Sequence, residues 1–196
     1  MAQSSTKEDK RYSYADYRRW PADERWELID GTAWSMCAAP SRAHQDLSAE
    51  LLFQLKKWLK GKPCKVYDAP FDVLLPSNPE DADDDVDTVV QPDLAVFCDR
   101  SKLTSAGARG APDLVVEIIS PWTVKKDLND KYRLYERAGV REYWVVAPSG
   151  SLQSFTLADS GRFGNPVILE GSGTLESTVL QGFTLDVAAL FAELDT

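Results

Sequence analysis

The stretch 110-GAPDLVVEIISPWTVKKDLNDKYRLYERAGVREYWVVAP-148 holds two apolar runs separated by a charged segment. Leu114, Val115, Val116, Ile118 and Ile119 are strong strand formers, and Pro121 stops that run. Residues 124–139 predict a helix, ended by Gly139. The run 141–148, "REYWVVAP", is apolar nearly throughout, which predicts a central strand covered on both faces. Glu117 interrupts the first strand. A carboxylate in such a place is costly unless it is paired, hydrogen-bonded or bound to a metal.

Working outward, residues 1–11 read as a disordered tail, and 12–196 as a single domain. "SYADYRRW" predicts one or two helical turns capped by Ser13. "RWELIDGTAWSM" predicts a hairpin turning at Asp30-Gly31, a pair favoured in type I′ turns. Residues 39–61 predict a helix capped by Ser41 and ended by Gly61. Its apolar stripe is Leu47, Leu51, Leu55 and Leu59, with Leu52 and Trp58. Short strands are expected at 64–70, 71–76 and 89–97. A hairpin or meander follows over 151–170, and Asp186 caps a short terminal helix. This order argues one α/β domain with a mixed sheet flanked by helices.

Composition excludes several classes. The 196 residues contain no apolar run long enough to span a bilayer. The N-terminus has no secretory apolar region. Cys37, Cys64 and Cys98 are odd in number and far apart, which suits free buried thiols in a reducing cytoplasm. Net charge is −9, which argues against a basic nucleic-acid surface. The excess is local, because 80-EDADDDVD-87 carries six acidic residues and the balance without them is −3. That run reads as a solvated, mobile loop. Val86 stands where a calcium loop needs its turn Gly.

The single histidine, His44, falls on the apolar face of its helix and reads first as a packed or capping residue. No phosphate-binding Gly-rich loop is present. The carboxylates say more. Asp93 follows Gln91-Pro92 in one apolar strand and Glu117 lies in another. On neighbouring strands they could supply the hard oxygen ligands that Mg²⁺ prefers. Asp113 shares a face with Glu117 but lies roughly 13 Å along the same strand, and reads as a cap. Hydrolysis at a metal is helped by a cation. Ile119 stands two residues past Glu117, so the candidate is Lys131 on the next helix, four residues past Asp127 and on the same face. Lys125 and Lys126 are rivals nearer the strand end. An exposed Asp127–Lys131 ion pair is the plainer alternative.

The blocks "ERWELIDGTAWSM", "APSRAHQDLSAEL", "APFDVLL", "VVQPDLAVF", 110–148 and "LDVAALF" occur in an order that closely resembles the Uma family of restriction-endonuclease-like proteins. The resemblance runs from about residue 12 to 192. It implies the restriction-endonuclease-like core of the PD-(D/E)XK nuclease superfamily. By that resemblance Asp93 is the "PD" aspartate and Glu117 the second acidic position. Ile119 replaces the usual lysine, whose role passes to Lys131. Glu27 of "ELIDG" and His44 form a second tier with Asp127.

The resulting expectation is an Mg²⁺- or Mn²⁺-dependent endonuclease acting on DNA. Asp93 and Glu117 hold the metal, Lys131 assists the attacking water, and Lys125 and Lys126 contact phosphate. Arg100, Lys102 and Arg109 are further candidates for phosphate. A catalytically silent binding or assembly module is the alternative. The aromatic stretch "YRLYERAGVREYW" is expected to form the surface of a cytoplasmic homodimer.

Overall fold

The computed structural model describes residues 10–36, 39–119, 126–192 and 194, with backbone alone at 126–128. Two sheets organise it. The smaller contains β1 (Trp26–Ile29), β2 (Thr32–Ser35), β4 (Asp72–Leu74), β5 (Val89–Val90) and β7 (Gly107–Arg109), in the order β2-β1-β5-β4-β7. The larger contains β3 (Lys65–Asp68), β6 (Leu94–Phe97), β8 (Leu114–Ile118), β9 (Glu142–Ala147), β10 (Ser151–Thr156) and β11 (Val167–Glu170), in the order β11-β10-β9-β8-β6-β3. β8 and β9 run parallel. A π-helical turn, Lys126–Lys131, and α3 (Tyr132–Ala138) lie between them in sequence.

The pleat of β8 separates two cores. Leu114, Val116 and Ile118 join Val96, Trp144 and Val146 beneath α2 (Arg42–Leu59). From α2, Leu47, Leu51, Leu55 and Leu59 are all buried there. Val115 faces the other way, towards Leu134 and Tyr135 of α3 and towards Phe97 and Tyr143. Period-2 alternation therefore sends Glu117 to the α3 side. Ser41 caps α2, its hydroxyl accepting from the His44 N–H at 3.2 Å. Asp186 caps α4 (Val187–Ala192) by accepting from Ala189 N at 3.0 Å. The β1–β2 turn has φ of 49° at Asp30 and 74° at Gly31, as a type I′ turn requires.

Several expectations are corrected. Cys64 and Cys98 form a disulfide, S–S 2.06 Å. Antiparallel pairing of Lys65 with Phe97 sets the two cysteines opposite one another, a relation hidden by 34 residues of sequence. Cys37 lies outside the described residues. The acidic run is exposed but organised: Asp83–Asp85 form a 3₁₀ turn. Arg109 Nε reaches Asp83 at 2.8 Å, Arg18 pairs with Asp84, and Arg11 with Asp87 at 2.8 Å. Arg109 is thereby committed to that loop and not presented to a phosphate. Arg11 is likewise tied to Asp87, and residues 1–9 of the expected tail lie outside the described residues. In "YRLYERAGVREYW", Tyr135, Tyr143 and Trp144 are fully buried in the chain's own core and Tyr132 is partly buried against it, so of these rings only Tyr132 reaches the surface. Among the described residues no helix is long and apolar enough to cross a membrane.

Two buried acids fasten the periphery. Glu142 accepts from Trp144 Nε1 (2.8 Å), Ser177 Oγ (2.6 Å) and Val179 N (3.1 Å), which joins β9 to the segment after β12 (Thr174–Glu176). Glu136 on α3 accepts from Phe163 N at 2.8 Å and Arg162 at 2.7 Å. Those partners, the Phe163 N–H first and then Arg162, hold its carboxyl below the usual glutamate range. A depressed folded value gives stability that is full above the ordinary 4.5 and fades as pH falls through the lower folded value. The difference in thermal midpoint between the wild type and Glu136→Gln should therefore be steady at neutral pH and shrink below pH 4.5. Calorimetry across a pH series measures it.

Gly107 permits β7 to lie against β4. Its φ is +155°, and a Cβ there would sit 2.2 Å from the Asp72 carbonyl oxygen. Gly107→Ala should cost about 1–3 kcal/mol in urea unfolding, because backbone and not a flexible side chain must yield.

Candidate active site

Three elements converge on one buried ammonium group. Glu27 comes from β1, Glu117 from β8, and Lys131 from the end of the π turn. Lys131 Nζ lies 2.9 Å from Glu27 Oε1 and 2.8 Å from Glu117 Oε1. Side-chain exposure is 3% for Lys131, 0% for Glu27 and 5% for Glu117, so the group is nearly withdrawn from water. Tyr135 Oη also donates to Glu117 Oε1, at 2.7 Å. Burial first, then the charge of Glu117, raises the Tyr135 phenol well above its ordinary value, which keeps it a donor. Glu27 Oε1 additionally accepts from Gln91 N at 3.1 Å.

Asp93 stands at the neighbouring strand end. The pairing of Leu94 with Val116 continues to Asp93 opposite Glu117. Asp93 Oδ2 accepts from Ile118 N at 2.7 Å, and its Oδ1 lies 3.1 Å from His44 Nε2. His44 thus turns from the apolar stripe towards an acid. Asp113 is bound elsewhere, accepting from Cys98 N at 2.7 Å and Arg141 at 3.1 Å, as its reading as a cap requires.

The expected residues divide as follows. Glu27, Glu117 and Lys131 are in direct contact. Asp93 and His44 form a second pair beside them, joined to β8 through Ile118 N. Lys125 and the side chains of Lys126 and Asp127 lie outside the described residues. The i,i+4 argument for Asp127 assumed an α-helix, and a π turn does not keep that spacing. Tyr135 was missed. Its signal was present, since it lies four residues past Lys131 and both side chains end on one oxygen. Gln91, whose backbone holds Glu27, had no signal beyond its place before Pro92-Asp93.

Residues 14–188 fit the Uma2 model, described as "Putative restriction endonuclease". The chain belongs to the Uma2 family. An uncharacterized protein of Synechocystis sp. is 24% identical over 155 residues, covering 78% of this chain and 77% of its own. Among solved structures, a protein from Anabaena variabilis described as a putative nuclease belonging to DUF820 superposes with a TM-score of 0.72. It is 16% identical and covers 92% of this Uma2 chain and 98% of its own length. That likeness concerns the fold, a mixed α/β architecture with helices against the sheets.

Among the described residues no group of three or more His, Cys, Asp or Glu side chains is gathered as a ready metal cage. Glu117, Glu27 and Asp93 are nevertheless hard oxygen donors of the kind Mg²⁺ takes in ones and twos, completing its shell with water. Two carboxylates share one ammonium, so the local charge still favours a cation.

Removing Lys131 would take its ammonium from two buried carboxylates. Lys131→Met should lower stability by roughly 3–5 kcal/mol. Glu27→Gln and Glu117→Gln added to Lys131→Met should restore most of that, measured by urea unfolding.

Proposed function

We propose that this chain hydrolyses phosphodiester bonds of DNA as a metal-dependent endonuclease. The observation that carries the reading is the return of Lys131 to Glu117 from the segment after β8, at 2.8 Å, which supplies the cation missing at Ile119. Glu117 and Asp93 would hold Mg²⁺ or Mn²⁺, with Glu27 as a further oxygen donor. Such an ion, when bound, supplies Lewis-acid stabilisation of phosphate charge and lowers the pKa of bound water.

The chain's own residues do the rest. Tyr135 fixes the Glu117 carboxylate by donating to Oε1. His44 and the Ile118 N–H orient Asp93 from two sides. Lys131 is the group placed to orient the attacking water and to offset negative charge developing on the phosphate. Its ammonium bridges the two carboxylates, 2.9 Å from Glu27 and 2.8 Å from Glu117. The family implies a nucleic-acid substrate. DNA as the particular substrate and the cytoplasm as the compartment belong to this same reading, as does a single domain over 12–196.

A second reading, a silent module that keeps the nuclease fold, is favoured by one observation. Lys131 already bridges Glu27 and Glu117, and so offsets part of their charge, in an interior nearly closed to solvent. Supercoiled plasmid incubated with Mg²⁺ or Mn²⁺ separates the two. The nuclease reading expects nicked or linear product, reduced roughly 100-fold or more in Glu117→Gln, with circular dichroism unchanged. Undiminished cleavage in that variant overturns the site. Absence of cleavage, together with no rise of the thermal midpoint in Mg²⁺, favours the silent module.

A further inference from the structure

A cleft of about 440 Å³ opens beside the Lys131 cluster, within the roughly 300–1,000 Å³ typical of small-ligand sites. One wall is aromatic. The rings of Tyr67 and Phe71 stack with centroids 4.3 Å apart and an interplanar angle of 9°. The exposed Thr104 and Ser105 also line the cleft. Asp72 and Gln91 line it too.

The polar groups are organised, with one acceptor left over. Gln91 is buried and fully used: its amide NH₂ donates to Asp72 Oδ1 at 2.8 Å and to Tyr17 Oη at 3.1 Å. Its Oε1 accepts from Arg25 at 2.8 and 3.2 Å. Tyr17 Oη donates to the same Asp72 Oδ1 at 2.9 Å. Burial, then the Asp72 charge, raises the Tyr17 phenol and keeps it protonated. Asp72 Oδ1 is thus held by two donors. Among the described residues, none donates to Oδ2 and no Lys or Arg forms an ion pair with Asp72.

We propose that this cleft is a nucleobase subsite that selects bases presenting N–H donors, guanine first. A flat apolar wall takes a base by stacking, which is tolerant of base identity. The selection comes from Asp72. A fixed carboxylate repels phosphate and ring carbonyls and accepts from N–H edges. Guanine offers adjacent N1–H and N2–H donors. Cytosine and adenine offer an exocyclic amine. Thymine offers a single N–H flanked by two carbonyls, which the carboxylate opposes.

The cleft and the cluster share a segment. Gln91 lines the cleft with its side chain and holds Glu27 with its N–H. Two residues on, Asp93 bonds Ile118 N beside Glu117, and its carbonyl accepts from Ala69 N, between Tyr67 and Phe71. A base held here belongs to a nucleotide close to the bond that is cut. That placement rests on the nuclease reading, while the base preference of the cleft does not.

The test uses nucleosides, which carry no phosphate and cannot be cleaved. Guanosine, cytidine, adenosine and thymidine are titrated into the full chain, without metal, and followed by NMR shifts. Guanosine is expected to bind tightest and thymidine weakest. Asp72→Asn keeps an oxygen for Tyr17 and Gln91 and should weaken guanosine roughly 10- to 100-fold, as loss of a charged acceptor does. Phe71→Leu should weaken all four nucleosides alike. No binding, equal binding of all four, or guanosine binding untouched by Asp72→Asn overturns the proposal. Sequencing plasmid product ends separates the two readings. Nucleoside selection without cleavage leaves the subsite standing and removes the nuclease; cleavage without nucleoside selection does the reverse.

Discussion

One ammonium group, Lys131 Nζ, joins three parts of the molecule that the chain visits far apart. Glu27 is on the smaller sheet, Glu117 on the larger, and Lys131 itself on the crossover between parallel strands. Burying three charges carries a large desolvation cost, repaid only by close geometry and full hydrogen bonding. The surroundings meet that condition with Tyr135 Oη on one carboxylate and Gln91 N on the other. Hydrophobic packing fills the space around this group. It does not by itself specify why β1 must meet β8 in this register, whereas a misplaced charge would.

The larger sheet was legible because its elements state their environment twice. β9 is apolar on both faces and is covered on both; β8 alternates between two cores, with one charged position. The helix α2 announced its cap, its stripe and its end in ordinary terms. Legibility failed where the relevant partner lay across the sheet. Cys64 and Cys98 are unremarkable at a separation of 34 residues, and their pairing exists only through the β3–β6 register. The acidic run failed for the same reason. Six carboxylates in a row read as a loop in water, and the arginines that gather it come from positions 11, 18 and 109.

At the candidate site the sequence carried Asp93 and Glu117 as neighbours, and Asp93 accepts from the N–H of Ile118, next to Glu117. It carried Lys131 on helical reasoning, and the ammonium lies 2.8 Å from Glu117. The backbone over 126–131 is a π turn, whose wider winding changes which residues share a face. A period-3.6 argument therefore cannot be extended back from Lys131 to Asp127, although it extends forward to Tyr135 within regular α3. The aromatic stretch after Lys131 misled in the opposite direction. Its rings looked like a surface because a helix of mixed polarity has two sides, and sequence alone does not say that Tyr135 lies on the covered one.

The segment Gln91-Pro92-Asp93 leaves β5 in one sheet and enters β6 in the other, giving its first residue to Glu27 and its last to β8. Each sheet is thus indexed to the other by a tripeptide with a ring in its middle. Pro92 has no N–H to donate and little freedom in φ, so the step between sheets has almost no slack. Tolerance to insertion should consequently be very uneven along this chain. Extra residues at the exposed 159–161 turn after β10 would be borne far more easily, whereas one residue added at this join would carry Asp93 out of register with Glu117 and shift the backbone donor that Glu27 uses.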